Sequence, residues 1–438
     1  MKKTDTKYQA FIQILREELI PAMGCTEPIA LAYAAAKAKE VLGAMPTHLT
    51  IRCSGNIIKN VKGVTVPNSG GMKGVEAAAV LGITGGDPSQ ALEVLEHVSD
   101  KEIGKAKNLL ESGFCDCVLK DGVANLYIEA HAICEKTLRQ EAVVIIEEEH
   151  TNITHIEKDG KVIFHKEKEH LSQEKEQTPD KSLLNLEDII AFADEVQIAA
   201  VEKVLERQVK YNTKIAEEGL KNPWGAQVGR VVLEEFGNDV KWRAVAKAAA
   251  GSDARMSGCA LPVIINSGSG NQGMTCSLPV IEFGKELEKS KEEIYRALCV
   301  SNLVALNQKK YIGSLSAYCG AVCAAAGAGA GITYLCGGTL EQIENTVVNT
   351  IADAGGIVCD GAKPSCAAKI STALQAAVLS HKMAMRGLTF AKGEGLVMDC
   401  PEDTIKAVGY VGRAGMKQTD VEILNLMIGK TKLEDIDK

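Results

Sequence analysis

The run "CGAVCAAAGAGAGITYLCGG", Cys319 to Gly338, restricts the fold more than any other stretch of the chain. It carries no charge and almost no bulk. Because it is built from Ala and Gly rather than Leu, Ile and Phe, its transfer into a bilayer is poor. It therefore reads as a helix buried in protein, with small side chains at its contacts. The rest of the chain agrees: aromatics make up only 4%, while glycine supplies 41 of 438 residues. Such a composition favours closely packed helices over a core of large rings. At 46% hydrophobic and 24% charged the chain is otherwise an ordinary globular one, long enough for two or three lobes.

A net charge of −8 without any basic stripe argues against a nucleic-acid surface. The opening "MKKTDTKYQAFIQILREELI" reads as a capped amphipathic helix rather than a secretory leader. With no membrane segment, a cytoplasmic protein is expected, where thiols stay reduced. Fourteen cysteines then point to metal, catalysis or core filling rather than to a disulfide framework.

Helical periodicity covers Thr6–Ile20 and Thr26–Leu42, and Thr47–Cys53 alternates like a strand. Gly70–Ile83 and Pro88–His97 read as helices. From Asn125 the period becomes two, and Asp159-Gly160 between short apolar runs signals a hairpin. Residues 115–166 are thus expected to form a small antiparallel sheet. The polar stretch Lys166–Ser182 reads as a linker. Beyond it the pattern is helical, broken at Ile265–Val280, Ala354–Cys366 and Gly387–Cys400. The fold class is therefore α+β and helix-dominated. An N-terminal part, 1–180, bears the sheet, and a mainly helical part, 181–438, bears the C-terminal cysteines.

No GxxxxGK[ST] is present, and "SGSGNQG" (Ser267–Gly273) lacks the preceding strand and later acid of a dinucleotide site. As a nest of backbone N–H groups with Ser267, Ser269, Asn271 and Gln272, it suits a small carboxylate. "RCSGNIIKN" (Arg52–Asn60) places Ser54, Gly55, Asn56 and Asn60 where a strand meets a loop, another candidate for substrate contact. A turn satisfying its own backbone is the competing reading. "NSGGMKG" (Asn68–Gly74) opens a helix whose N-terminus has anion-binding potential. The few histidines show no zinc spacing.

Cys115, Cys117, Cys134, Cys299 and Cys400 read as core residues. Cys359 and Cys366 differ, seven apart around Pro364-Ser365, with Cys366 opening a helix. Cys319 and Cys323, four apart, lie upstream on one helical face. Three thiolates gathered from these places could bind zinc or iron, with one iron of a cluster left open as a Lewis acid. In "PAMGCTEPIA", Thr26 reads as an N-cap, leaving Cys25 just outside a helix N-terminus. A thiol there tends toward lowered pKa, suited to a base or nucleophile.

Taken together, "EELIPAMGCTEPIALAYAAA", "RCSGNIIKN", "VPNSGGMKG", "SGSGNQGM" and "CDGAKPSCAAKI" resemble the L-cysteine desulfidase family. That family is related to the α-chain of the iron–sulfur L-serine dehydratases. The resemblance extends to "GRAGMKQTDVEIL" near the C-terminus. It implies a [4Fe–4S] lyase with one open iron, degrading L-cysteine to pyruvate, ammonia and hydrogen sulfide without pyridoxal phosphate. By position it implies Cys319, Cys359 and Cys366 as cluster ligands, with Cys323 the competitor for the first, and Cys25 as catalytic base or acid. The seven-residue spacing of the last two ligands follows the desulfidases; the serine dehydratases space theirs by eleven. Arg255 in "SDARMSG" is a further candidate for the substrate carboxylate. A homodimer and a small amino-acid substrate are expected. An iron–sulfur L-serine dehydratase and a redox sensor are the alternatives.

Overall fold

The Ala/Gly run forms the helix Gly320–Leu335, buried along nearly its whole length. It lies at the centre of the helical part, against the helices Gly270–Glu286, Lys291–Ile312, Leu340–Ala354 and Cys366–Ala384. A Cβ on Gly327 would stand 2.4 Å from the Ser301 carbonyl oxygen, so the Lys291–Ile312 backbone rests directly on the glycine. Ala and Gly are thus what let these helices approach backbone to backbone. The computed structural model describes residues 5–135, 139–166, 180–313 and 315–435. Among them no helix is long and apolar enough to cross a membrane. Most of the polar stretch read as a linker, 167–179, lies outside the described residues.

The sheet part holds six strands in the order β3-β2-β4-β5-β6-β7. These are β2 (His48–Cys53), β3 (Cys115–Leu119), β4 (Tyr127–Cys134), β5 (Gln140–Glu147), β6 (Ile153–Lys158) and β7 (Lys161–His165). β3 to β7 fall where the antiparallel sheet is expected, but β2 inserts beside β3 and pairs with it in parallel. The sheet is therefore mixed. That parallel pairing needs a crossover, and the helices Gly55–Val61, Val75–Gly85 and Asp100–Glu111 provide it. The expected hairpin closes between Lys158 and Lys161, with positive φ at both Asp159 and Gly160, as a two-residue type I′ turn requires. The helix Thr26–Leu42 covers one face of the sheet at β4 and β5.

Three expectations fail locally. Pro88–His97 is only a 3₁₀ turn, Pro88–Glu93, interrupted at Ala91 by non-helical backbone. The helix expected from Gly70 begins at Val75, because Gly70, Gly71 and Gly74 adopt positive φ. Finally, two short strands were not legible. These are β1 (Pro21–Met23) and β8 (Pro262–Ile264), paired antiparallel with Met23 opposite Pro262. Ile265 N–H continues the pairing to the Ile20 carbonyl at 3.0 Å. At the other end, the helix Lys417–Met427 packs onto Gly55–Val61, where buried Lys59 pairs with Asp420.

The close helix approach predicts opposite responses at two glycines. Gly327→Val should destabilise the fold by about 1–3 kcal/mol, the usual cost of overpacking. Gly104 is helical with open space where a Cβ would go, so Gly104→Ala should stabilise by about 0.5–1 kcal/mol. Urea denaturation measures both, and a wild-type midpoint for Gly327→Val would contradict the packing described.

Candidate active site

The β1–β8 ribbon delivers two loops to one place. After β1 the chain turns through Gly24 into Cys25 and the Thr26–Leu42 helix. After β8 it makes a tight turn, Asn266 and Ser269 exchanging backbone hydrogen bonds of 3.1 and 3.0 Å, before the helix Gly270–Glu286. "SGSGNQG" is thus preceded by a strand after all, one too short to show a period. Thr26 Oγ1 donates to the Gly268 carbonyl at 3.0 Å, locking the loops together. The Ser267 N–H reaches Glu18 Oε2 at 3.1 Å.

Cys25, not Thr26, is the N-cap residue, and its side chain makes no capping bond. Its Sγ instead donates to Glu27 Oε2 at 3.0 Å in a buried pair. Burial, then the Glu27 carboxylate, push the thiol well above its ordinary pKa, with Arg255 opposing them. This reverses the expectation of a lowered pKa. Position at a helix start favours the thiolate, but loss of water and an adjacent anion favour the thiol more. Glu27 was not singled out from the sequence, although an acid two residues after Cys25 in the first helical turn was its signal.

Arg255 ends the helix Val240–Met256 and is among the largest fully enclosed side chains. Its Nη1 donates to Asn271 Oδ1 at 3.1 Å. Its Nε has no hydrogen-bond partner and the guanidinium makes no ion pair among the described residues. A Cβ on Gly270 would stand 2.4 Å from that Nε, so the guanidinium lies against bare backbone. A buried cation left in this condition is expensive unless an anion joins it.

The C-terminal cysteines meet by backbone pairing. A bridge joins Tyr318 to Val358, with Cys319 N–H donating to Ile357 O at 3.1 Å and Cys359 N–H to Ala317 O at 2.6 Å. Cys319 and Cys359 are thereby set side by side. Cys366 opens the helix Cys366–Ala384, as expected. Between the last two, Asp360 binds Lys363 and Lys369. Gly361, with φ +93°, lets the loop touch the Lys59 carbonyl, where any side chain would clash. Burial and the neighbouring Cys359 push the Cys319 thiol up to about 12. Cys323, one turn further on, is fully buried in the core behind Cys319. Cys115, Cys134 and Cys299 are buried as expected, but Cys400 is exposed: it precedes Pro401 at a helix start, outside the core.

Cys25, Glu27, Arg255 and the three cysteines 319, 359 and 366 line one cavity of about 1150 Å³. Ser267, Asn271 and Asn60 line it too. Ser54 caps the Gly55–Val61 helix and donates to the Asn125 carbonyl at 2.6 Å, and Gly55 packs under Leu424. Neither they nor Asn56 belong to the lining among the described residues. Five buried polar atoms without partners among those residues converge here: His150 Nε2, Arg255 Nε, Ser267 Oγ, Gln272 Oε1 and Tyr318 OH. Such groups are costly when left unmade, so a polar ligand suits this cavity. Two of them, His150 and Tyr318, were missed as site residues, each a lone residue without motif spacing.

The sequence profile of the serine dehydratase alpha chain matches residues 89–425, which contain the three cysteines and Arg255. The chain belongs to the serine dehydratase alpha chain family. Members of this family are iron–sulfur enzymes, which makes a lyase of the dehydratase kind the coarse reading of this chain. A UPF0597 protein of Lachnoclostridium phytofermentans is 52% identical over 96% of this chain and 100% of its own. One from Desulfitobacterium hafniense is 50% identical over 98% of this chain and 99% of its own. A third, from Finegoldia magna, is 47% identical over 96% and 99%.

The Cys25–Glu27 pair makes a prediction independent of turnover. In oxygen-free alkylation followed by peptide mass spectrometry, exposed Cys400 should react at pH 7.5 at least about tenfold faster than Cys25. Glu27→Gln, which removes the opposing charge, should move the pH–rate profile of Cys25 to lower pH. An unmoved profile would contradict the pairing.

Proposed function

We propose that this chain is an iron–sulfur lyase that removes the β-substituent of a small α-amino acid, with L-cysteine as substrate and pyruvate, ammonia and hydrogen sulfide as products. The observation that carries this reading is the convergence, in one cavity, of three cysteines with the Cys25–Glu27 pair and a buried guanidinium without an ion-pair partner among the described residues.

The donor set fits a cluster. Cys319, Cys359 and Cys366 share the cavity wall, while among the described residues no three potential ligands converge on a single metal-ion position. Three cysteines on one cavity wall are of the ligand type that iron–sulfur clusters take. Desolvation raises the Cys319 and Cys366 thiols, which must lose their protons to become ligands. Cys323, turned into the core, does not share the wall, which favours Cys319 as the first ligand. When bound, a [4Fe–4S] cluster with three protein ligands supplies a Lewis-acidic iron with an open position.

The protein groups divide the remaining work. Arg255, held by Asn271, pairs with the substrate carboxylate, and Ser267 and Gln272 complete that corner. Cys25 gives its proton to Glu27 and takes the α-proton of the substrate, general-base work worth about 10²–10⁴-fold. As the Cα–H electrons form the Cα=Cβ bond, the Cβ–S bond breaks and sulfide leaves. The resulting aminoacrylate tautomerises to an imine that water hydrolyses to pyruvate and ammonia. The family profile is that of serine dehydratases, so L-serine, losing water instead of sulfide, is the second reading.

Oxygen-free enzyme reconstituted with iron and sulfide, then freed of excess, should release pyruvate and sulfide from L-cysteine faster than pyruvate from L-serine. Cys25→Ala should lower turnover by about 10²-fold or more with its iron content unchanged. Faster turnover of L-serine would establish the second reading. No product from either amino acid would overturn the lyase reading, and an active Cys25→Ala would remove Cys25 as base.

A further inference from the structure

His150 belongs to the sheet part, and its ring lines the cavity that holds the C-terminal cysteines. It sits in the loop joining β5 to β6, and the register of that strand pair shifts between Ile145 and Ile146, just before the loop. A bulge there re-aims the residues after it. Positive φ at Glu148 turns the chain inward. The loop is then pinned, Asn152 Nδ2 donating to the Glu147 carbonyl at 2.9 Å and Glu148 N–H to the Leu126 carbonyl at 3.0 Å. The ring meets the other side of the site at Gly268, where a Cβ would lie 3.4 Å from His150 Cε1. Its Nε2 is shielded from solvent and has no partner among the described residues.

Three charged groups act on this ring. Glu27 and Glu149 favour a positive charge at His150, and Arg255 opposes one. Burial outweighs the carboxylates and keeps the imidazole neutral. An unpartnered ring nitrogen near two carboxylates, in the same cavity as an unpartnered guanidinium nitrogen, supplies groups for both ends of a zwitterion. The Arg255 end accepts a carboxylate, and the other end suits an ammonium.

We propose that His150, carried into the cavity by the β5–β6 loop, binds the α-ammonium group of the amino-acid substrate through its Nε2 and so fixes which end of the substrate faces Cys25. This rests on the amino-acid lyase reading above and deepens it. It makes the sheet part a contributor to substrate recognition, and it separates α-amino acids from acids of the same length that lack the amine.

The matched pair L-cysteine and 3-mercaptopropionate, which differ only in that amine, provides the test. Binding of each is measured by oxygen-free calorimetry on the reconstituted full chain carrying Cys25→Ala, so that no turnover intervenes. Adding His150→Ala should weaken L-cysteine by about tenfold or more while leaving 3-mercaptopropionate within about twofold. His150→Gln, which keeps a hydrogen-bond acceptor, should recover part of the loss. Equal losses for both ligands, or no loss for L-cysteine, would overturn the role of His150 while L-cysteine binding before the His150 change left the lyase reading standing. Failure of L-cysteine to bind before that change would overturn both.

Discussion

The site depends on a pairing of six residues. Pro21, Ala22 and Met23 run antiparallel to Ile264, Val263 and Pro262, and each strand opens directly into a loop that faces the cavity. Without this ribbon, Cys25 and Arg255 would belong to separate layers of the molecule. With it, the Thr26 hydroxyl reaches the Gly268 carbonyl, and a thiol from the first helices stands within the electrostatic reach of a guanidinium more than two hundred residues away.

Close backbone approach is the second constraint, and the composition serves it. The helix Gly320–Leu335 is small enough for four helices to gather round it, which holds Cys319 at its start. Gly361 lets the loop between Cys359 and Cys366 rest on the Lys59 carbonyl, and Gly270 lets the Arg255 guanidinium lie on backbone. In each case the missing side chain makes room for a functional group rather than flexibility. Enclosure in the resulting cavity raises the Cys25 and Cys319 thiols and lowers the His150 imidazole.

Much of this was legible in the sequence where a pattern is long or local. The helix Thr26–Leu42 lies where its periodicity placed it, the Asp159-Gly160 hairpin follows from its turn chemistry, and Cys366 opens a helix after Pro364-Ser365. The serine dehydratase relationship was legible from motifs spread along the chain. The rest failed for physical reasons. Strands of three residues, β1 and β8, show no period, so the ribbon that joins the two halves was not foreseen, although Cys25 was expected to reach the cysteines of the helical part. The parallel β2–β3 contact depends on a crossover rather than a local signal. A helix-start argument gave the Cys25 thiol the wrong direction, because burial and Glu27 are set by tertiary structure. His150 looked like one polar residue in a polar stretch until the bulge and loop placed it.

The central claim is that Cys319, Cys359 and Cys366 hold an iron–sulfur cluster in the cavity that contains Cys25. The most direct measurement is the oxygen-free absorption spectrum, with iron and sulfide content, of reconstituted wild type beside Cys323→Ser and Cys359→Ser. The account predicts an iron–sulfur charge-transfer band in wild type and Cys323→Ser, and its loss in Cys359→Ser. A colourless wild type, a Cys359→Ser protein that keeps the full band, or a folded Cys323→Ser protein that loses it would contradict the account.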